Sequence, residues 1–324
     1  MFEKIRRNLI ISIAAGAAVF LLLSIYADYN DVAKAFVNFT WIYLPFLFLL
    51  SFLNYFFRFL KWHYYLKMLN IDISFFESFL IFMAGLTMSL TPGKVGELLK
   101  CYLVKSSVSV PVSRTAPVVL AERITDFISL VLIAIVGALI YGHGKMLVLL
   151  TGVFFISITI LLSNNALVMK ILRFAEKIKF LSGHIEKIAE SLNSANALLK
   201  IKPLLKMTLL SIPAWLFECL ALFVILKLYG ENISFVLSSF IYSFSTIVGS
   251  ITMLPAGLGV TEGSLTFLLI NFGTSGGTAV GSTFIIRIVT LWFAILTGIV
   301  FAVYYQKKFG KINFSTIKIN GQTD

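Results

Sequence analysis

Several charged side chains lie inside stretches of this sequence that are otherwise apolar. Two glutamates, Glu97 and Glu262, each precede an arginine at nearly the same distance, 26 residues before Arg123 and 25 residues before Arg287. A guanidinium group forms paired hydrogen bonds with carboxylate or phosphate oxygens. A carboxylate can pair with that guanidinium, bind an ammonium group or carry a proton. The two pairs predict a site for a charged ligand, and the alternative is internal ion pairing between helices.

More charges surround the first arginine. The sequence AERITD places Glu122, Arg123 and Asp126 within about one helical turn, so a pair between Arg123 and Asp126 is possible within one helix. An ionised side chain at the centre of a bilayer costs at least about 2.5–3.5 kcal/mol on insertion scales. Several such charges together therefore need partners or a function.

Three further residues complete the candidate ligand-binding set: Lys94, Arg58 and Glu218. The ammonium of Lys94 is suited to a phosphate. Two structural readings stay open, because Arg58 can extend to the inner membrane interface and Glu218 can be a paired structural acid.

Two stretches rich in proline and glycine interrupt apolar runs, LTPGKVGE at 90–97 and LPAGLGVTEG at 254–263. Proline lacks the backbone N–H donor and glycine permits turns that other residues disfavour, so the helix opens there. Non-helical backbone at membrane depth is tolerated only inside protein or beside a water-filled cavity. The two breaks are therefore predicted to face each other across a polar space. The residues that open the backbone are Pro92, Gly93, Gly96, Pro255, Gly257 and Gly259.

The composition is that of a membrane protein: 59% of the 324 residues are hydrophobic and 13% are charged. About 20 apolar residues span the hydrocarbon layer. Full spans are predicted at 8–26, 41–60, 116–140, 145–163, 207–228 and 279–305, with less regular apolar segments at 73–90 and 235–272. We expect the whole chain, 1–324, to form one transmembrane domain with no soluble catalytic domain.

Lysine and arginine beside membrane helices mark the cytoplasmic side. Basic residues near both ends of the chain predict that both termini are cytoplasmic: Lys4, Arg6, Arg7, Lys307, Lys308 and Lys311. Segment 73–97 has basic residues on both sides, Lys61 and Lys67 before it and Lys100, Lys105 and Arg114 after it. Both of its flanks are therefore predicted to be cytoplasmic, which makes the segment a re-entrant hairpin.

By the same count, segment 235–272 enters from the opposite face. Two breaks of opposite orientation, each followed by a charged pair, are typical of an inverted repeat. The predicted fold is an all-α polytopic membrane protein whose halves, 41–140 and 207–305, contribute two re-entrant hairpins that meet near mid-membrane. The basic connector 164–206 is either an amphipathic helix on the inner membrane surface or a plain cytoplasmic helical connector.

Cofactors are not expected. The cysteines Cys101 and Cys219 lie far apart, and three scattered histidines lack metal-ligand spacing. The formal net charge of +12 fits topology signals and anionic lipid headgroups better than nucleic acid, because no basic soluble module is present.

Four features in order, PGKVGE at 92–97, ERITD at 122–126, PAGLGVTEG at 255–263 and Arg287, resemble the flippase-like family that includes the membrane region of lysylphosphatidylglycerol synthases. The resemblance covers nearly the whole chain. It implies that Glu97, Arg123, Glu262 and Arg287 line a cavity for a lipid headgroup. The fuller synthases, such as the multiple peptide resistance factor, add a cytoplasmic aminoacyltransferase domain, for which the 19 residues after Tyr305 leave no room.

The expected function is therefore movement of a phospholipid, such as aminoacylated phosphatidylglycerol, or of a polyprenyl-phosphate lipid between leaflets of the cell membrane. Two alternatives stay open: an enzyme of the phosphatidylglycerol lysyltransferase type with Glu97 and Glu262 as acid or base, and a membrane partner of a separately encoded synthase or glycosyltransferase. A homodimer is compatible with the aromatic, lipid-facing surface.

Overall fold

The computed structural model describes residues 14, 16–25, 27–91, 96–176 and 183–309. In chain order the helices are α1 (Gly16–Ile25), α2 (Tyr29–Asn38), α3 (Leu44–Met68), α4 (Phe75–Gly85), α5 (Leu99–Val108), α6 (Val112–Tyr141), α7 (Lys145–Ser163), α8 (Asn165–Glu176), α9 (Ile185–Leu198), α10 (Ile201–Leu228), α11 (Phe235–Ile251), α12 (Val260–Asn271), α13 (Gly276–Arg287) and α14 (Phe293–Phe309). Short 3-10 turns lie at Trp41–Tyr43, Leu86–Met88 and Pro255–Gly257, and a π-helical turn, Ile288–Trp292, joins α13 to α14. The described part of the chain contains no β-strand.

Five helical stretches are long and apolar enough to cross a membrane: Trp41–Met68, Val112–Tyr141, Lys145–Ser163, Ile201–Leu228 and Gly276–Phe309. They confirm five of the predicted spans, and all but the third extend beyond the predicted limits. Of the predicted span 8–26, the described part is the short apolar helix α1. This set of helices makes the protein a multi-pass, all-helical membrane protein.

The two less regular apolar segments each form a helix that stops at a break. In the first, α4 continues into the 3-10 turn Leu86–Met88, and in the second, α11 ends shortly before the 3-10 turn Pro255–Gly257. Both α4 and α11 are shorter than the five spanning stretches. An interrupted helix therefore lies at each predicted break.

The turns that lead into α4 and α11 are built alike. The sequence Ile-Ser-Phe occurs at 73–75 and again at 233–235, and the hydroxyls of Ser74 and Ser234 cap their helices by accepting from the backbone N–H three residues later. Asn70 and Gly230 both adopt a left-handed conformation, with φ of 52° and 78°. The similarity between the two parts of the chain thus begins before the breaks and is also visible in the sequence.

Packing crosses between the two parts of the chain. The long helices α3 and α10 lie against each other, with the Asn54 side chain donating to the Ala214 carbonyl at 2.8 Å. Helix α11 packs on α6, and α14 packs on α4 and its 3-10 extension. Glycines permit both contacts, because a Cβ on Gly137 would lie 2.3 Å from Phe240 and one on Gly298 would lie 2.4 Å from the Thr87 backbone.

The connector is helical where it is described. In α8, Val168 and Leu172 are buried, and α9 packs along α6, where the Ser191 hydroxyl donates to the Ser113 carbonyl at 2.7 Å. Helix α10 begins at Ile201, so the end of the predicted connector 164–206 belongs to a spanning helix. Connector residues 177–182 lie outside the described residues.

Candidate functional site

The first break leads directly into a buried carboxylate. Gly96 donates its N–H to the Thr91 hydroxyl at 2.9 Å, and a Cβ at Gly96 would lie 2.5 Å from the Thr91 side chain, so this close approach requires glycine. Glu97 follows and is 6% exposed. The predicted residues Pro92, Gly93 and Lys94 lie outside the described residues.

Glu97 is the partner of the arginine 26 residues further along the chain. Its Oε2 accepts a hydrogen bond from Arg123 of α6, and its Oε1 lies 3.9 Å from Arg58 Nη2 of α3. The Nζ of Lys100, one turn later in α5, lies 3.9 Å from Glu97 Oε2. Cations from three helices therefore surround one carboxylate.

Asp126, one turn after Arg123 in α6, contacts the same two arginines. Its carboxylate lies 3.9 Å from Arg123 Nη1 and 3.9 Å from Arg58 Nε, so the intrahelical pair predicted from AERITD is present. The Lys61 ammonium donates to Asp126 Oδ1, and the Ser211 hydroxyl donates to the same oxygen at 3.2 Å. Glu122 points to Lys100, with 2.7 Å between its Oε2 and the Lys100 Nζ.

Two lysines that the sequence analysis assigned to the cytoplasmic surface are inside the protein. Lys61 is 1% exposed and Lys100 is 2% exposed, while Lys67 and Lys105 are on the surface. The ion pairs with Asp126 and Glu122 offset the loss of water around these ammonium groups. The charge pattern around segment 73–97 consequently rests on Lys67, Lys105 and Arg114 alone.

The second break is held by its own charged pair. Met253 and Ala256 adopt left-handed conformations with φ of 54° and 51°, and Gly257 and Gly259 have φ of 66° and 85°. In the described residues, Arg287 of α13 donates from Nη2 to the Ala256 carbonyl at 2.9 Å, so it reaches back across the break.

Glu262, in the first turn of α12, completes this arrangement. Its Oε2 accepts from the Gly259 N–H at 2.7 Å, which caps the helix, and its Oε1 lies 2.6 Å from Arg287 Nε. The Nε–H bond is not directed at that oxygen, so the contact is an electrostatic pair rather than an aligned hydrogen bond. Glu262 is fully buried, and Pro255 begins the 3-10 turn that precedes it.

A cavity of about 610 Å³ joins the two groups of charges. The charged residues that line it are Arg58, Arg123, Asp126, Glu218 and Arg287. Ala256 and Gly257 of the second break also line it, as does Ser89 just before the first break. Glu97, Glu122 and Glu262 are not among the lining residues. They lie behind the cavity, where Glu97 and Glu262 hold the arginines that face into it.

Two aromatic residues in the cavity wall contact charged residues of the same wall. The Tyr242 hydroxyl donates to Glu218 Oε2 at 2.6 Å, and the ring of Trp215 lies 6.0 Å from the Arg58 guanidinium carbon. Trp215 and Tyr242 both line the cavity. Glu218 thus takes part in the same constellation as Arg58, which the sequence alone left undecided.

Sequence reasoning missed four members of this constellation: Lys61, Lys100, Trp215 and Tyr242. Helical spacing could have found three of them. Lys61 follows Arg58 by three residues, Lys100 follows Glu97 by three, and Trp215 precedes Glu218 by three. Residues at this spacing share one helix face, so each shares a face with a residue already selected.

The multi-pass helical fold, with two breaks and their buried charged pairs around one cavity, defines the class as a polytopic helical membrane protein. Residues 9–298 match the model of the lysylphosphatidylglycerol synthase TM region, and the chain belongs to this family. The resemblance inferred from the four sequence features is thereby confirmed.

Relatives with the name UPF0104 membrane protein occur in archaea. One from Methanothermobacter thermautotrophicus is 32% identical over 97 residues, which are 30% of this chain and 29% of that protein. Another match of the same name and organism is 24% identical over 332 residues, covering 94% of this chain and 95% of that protein. A UPF0104 membrane protein of Pyrococcus horikoshii is 27% identical over 268 residues, covering 74% and 79%.

Proposed function

We propose that the protein is a lipid flippase, which moves the headgroup of a phospholipid or a polyprenyl-phosphate lipid between leaflets of the cell membrane. One observation carries this proposal: a single cavity is lined by Arg123 and Arg287, the arginines that follow the two breaks. Guanidinium groups suit phosphate oxygens because their planar donors match the oxygen geometry. Phosphate is the group that these two lipid classes share.

The mouth of the cavity fits a molecule that also has acyl chains. Cavity-lining apolar residues from α7 and from the second break are exposed by 45% or more: Leu150, Phe154, Ile251, Met253 and Leu254. An apolar rim in contact with hydrocarbon lets acyl chains stay in the membrane while the headgroup enters the polar interior. The combination favours a lipid over a water-soluble anion.

The recurrence of elements supports an inverted repeat with halves of about 41–140 and 207–305. In each half a long helix, a serine-capped interrupted helix, a break, a glutamate and an arginine follow in that order. In our proposal the two interrupted helices are re-entrant hairpins that enter from opposite faces, with both termini cytoplasmic. Headgroup movement then follows from closure of one break and withdrawal of the other.

The name of the family model supports a first choice of ligand. It refers to a lysylphosphatidylglycerol synthase, so phosphatidylglycerol and its aminoacylated form are the lipids to test first. In the cavity, the arginines suit the phosphate of such a lipid, and Glu218 and Asp126 suit an ammonium group.

A separately encoded synthase as partner and a homodimer are further parts of this proposal. Co-purification tests the partner, and cross-linking tests the homodimer.

Transport in proteoliposomes tests the function. Purified protein is reconstituted with fluorescent phosphatidylglycerol, and a membrane-impermeant reductant reports how much of the label reaches the outer leaflet. We expect wild-type protein to move the lipid faster than empty liposomes, and Arg123→Ala and Arg287→Ala to lose most of that movement.

Arg173→Ala is the matched control, because Arg173 is an exposed residue of α8 outside the cavity. It is expected to transport like wild type. Equal transport by folded Arg123→Ala, Arg287→Ala and wild-type proteins would refute the site. The same assay is run with a fluorescent polyprenyl phosphate, and absence of wild-type transport of both this lipid and phosphatidylglycerol would refute the function.

A further inference from the structure

The two buried lysines lie behind the cavity rather than in its wall. Lys61 donates to the Ser211 hydroxyl at 2.7 Å and the Thr125 hydroxyl at 3.2 Å, in addition to Asp126. The Lys100 ammonium contacts Glu122 and lies 4.6 Å and 4.9 Å from the ring centres of Trp62 and Phe82. Neither lysine is among the residues that line the cavity.

Each lysine contacts an acid that also holds a cavity arginine. Asp126 lies between Lys61 on one side and the guanidinium groups of Arg58 and Arg123 on the other. Glu97 lies between Lys100 and the same two arginines. A carboxylate that is partly neutralised from behind attracts the arginine in front of it less strongly, so the arginine keeps donors for a ligand.

The lysines also set the sign of the net charge of the ion-paired cluster beside the first break. Within the described residues, ion pairs join four cations, Arg58, Lys61, Lys100 and Arg123, to three carboxylates, Glu97, Glu122 and Asp126. This cluster has one net positive charge, and without both lysines it has one net negative charge. With Glu218, which faces the same cavity, the balance is neutral with the lysines and doubly negative without them.

The second break has no matching arrangement at the equivalent positions. Alignment of Arg123 with Arg287 places Ile286 at the position of Glu122 and Thr290 at the position of Asp126. Alignment of Glu97 with Glu262 places Leu265 at the position of Lys100. A glutamate–arginine pair at a break therefore forms without a lysine at the position of Lys100, so this buried lysine is particular to the first break.

We propose that Lys61 and Lys100 are positioning residues that keep Arg58 and Arg123 available to an anionic lipid headgroup. This inference rests on the proposed function. Loss of one lysine removes one positive charge from the cluster, so the excess negative charge of its carboxylates draws the guanidinium groups away from the ligand. The defect is then in affinity for the anion, and removal of one carboxylate from the cluster repairs it.

The experiment compares Lys100→Met with the double variant Lys100→Met/Glu122→Gln. Glu122 is buried behind the cavity, so the double variant restores the charge balance without changing the cavity wall. Binding of a fluorescent short-chain phosphatidylglycerol to the full chain in detergent is titrated by anisotropy, and the folded fraction is measured in parallel. Lys202→Met, an exposed change at the start of α10, is the control.

We expect Lys100→Met to bind the probe about tenfold more weakly, equivalent to about 1.4 kcal/mol. The double variant is expected within about threefold of wild type, and Lys202→Met equal to wild type. The inference is overturned if folded Lys100→Met binds like wild type, or if the double variant binds as weakly as the single one.

Wild-type transport measured in the same preparations distinguishes failure of the lysine role from failure of the proposed flippase function. Lipid movement by wild type together with unchanged affinity in Lys100→Met rejects the role of the lysines and keeps the flippase. Neither binding nor movement by wild type rejects the proposed function, and the positioning role with it.

Discussion

Replacement of Glu262 by glutamine isolates the charge that holds the second break. The carboxylate has two tasks: Oε2 accepts from the Gly259 N–H at 2.7 Å, and Oε1 lies 2.6 Å from Arg287 Nε. A glutamine can keep the first contact through its amide oxygen, while the ion pair is lost. Glu262→Ala removes both contacts.

The expected magnitudes follow from burial. Removal of one partner of a buried ion pair destabilises a protein by about 3–5 kcal/mol, because the remaining charge is left without compensation. Arg287 faces the cavity and keeps its bond to the Ala256 carbonyl, so the lower end, about 3 kcal/mol, applies to Glu262→Gln. Loss of a helix N-terminal cap adds about 1 kcal/mol, so Glu262→Ala is expected to lose about 4 kcal/mol.

Unfolding in mixed micelles at increasing fractions of a denaturing detergent measures these free energies, with Asp72→Asn in an exposed turn as control. The control is expected within about 0.5 kcal/mol of wild type. A double-mutant cycle of Glu262→Gln with Arg287→Met tests the ion pair directly. The double variant is expected to be destabilised by about 2 kcal/mol less than the sum of the two single variants. Additive effects would refute the ion pair.

Three further predictions concern the packing that forms the cavity. Gly137→Ala is expected to destabilise the protein by about 1–3 kcal/mol, because the added Cβ meets Phe240 at the contact of α6 with α11. Gly263→Ala in α12 is its control, since the new Cβ has no neighbour from another helix within 4 Å, and equal unfolding free energies for the two variants would contradict the packing. Ser234→Ala is expected to lower the unfolding free energy by about 1 kcal/mol through loss of the cap on α11, whereas Ser234→Thr keeps most of it; a loss of the same size in Ser234→Thr would argue against the cap. Tyr242→Phe is expected to cost about 1–3 kcal/mol, because it removes the 2.6 Å hydrogen bond to the buried Glu218. Wild-type stability in Tyr242→Phe, measured by the same detergent unfolding, would show that Glu218 does not depend on this hydroxyl.

The sequence by itself determined the class of fold and the location of the two breaks. Apolar run length is a local property, and comparison with the thickness of the hydrocarbon layer is enough to place five spanning stretches. Proline and glycine act on the backbone of their own segment, so the interruption near 255–259 was also readable. The nearly equal distances from Glu97 to Arg123 and from Glu262 to Arg287 indicated that the two breaks are related, while the ion pairs between these residues came from the structure.

The tertiary structure decided which charges face the cavity and which lie behind it. Lys61 looked like a surface residue because lysine usually marks the membrane interface, yet α6 and α10 supply Asp126 and Ser211 as its partners. Such partners come from helices that are distant in the chain, and their packing is cooperative. The role of a charged side chain inside a membrane depends on the partners around it. That role is therefore decided only when the helices that supply the partners pack together.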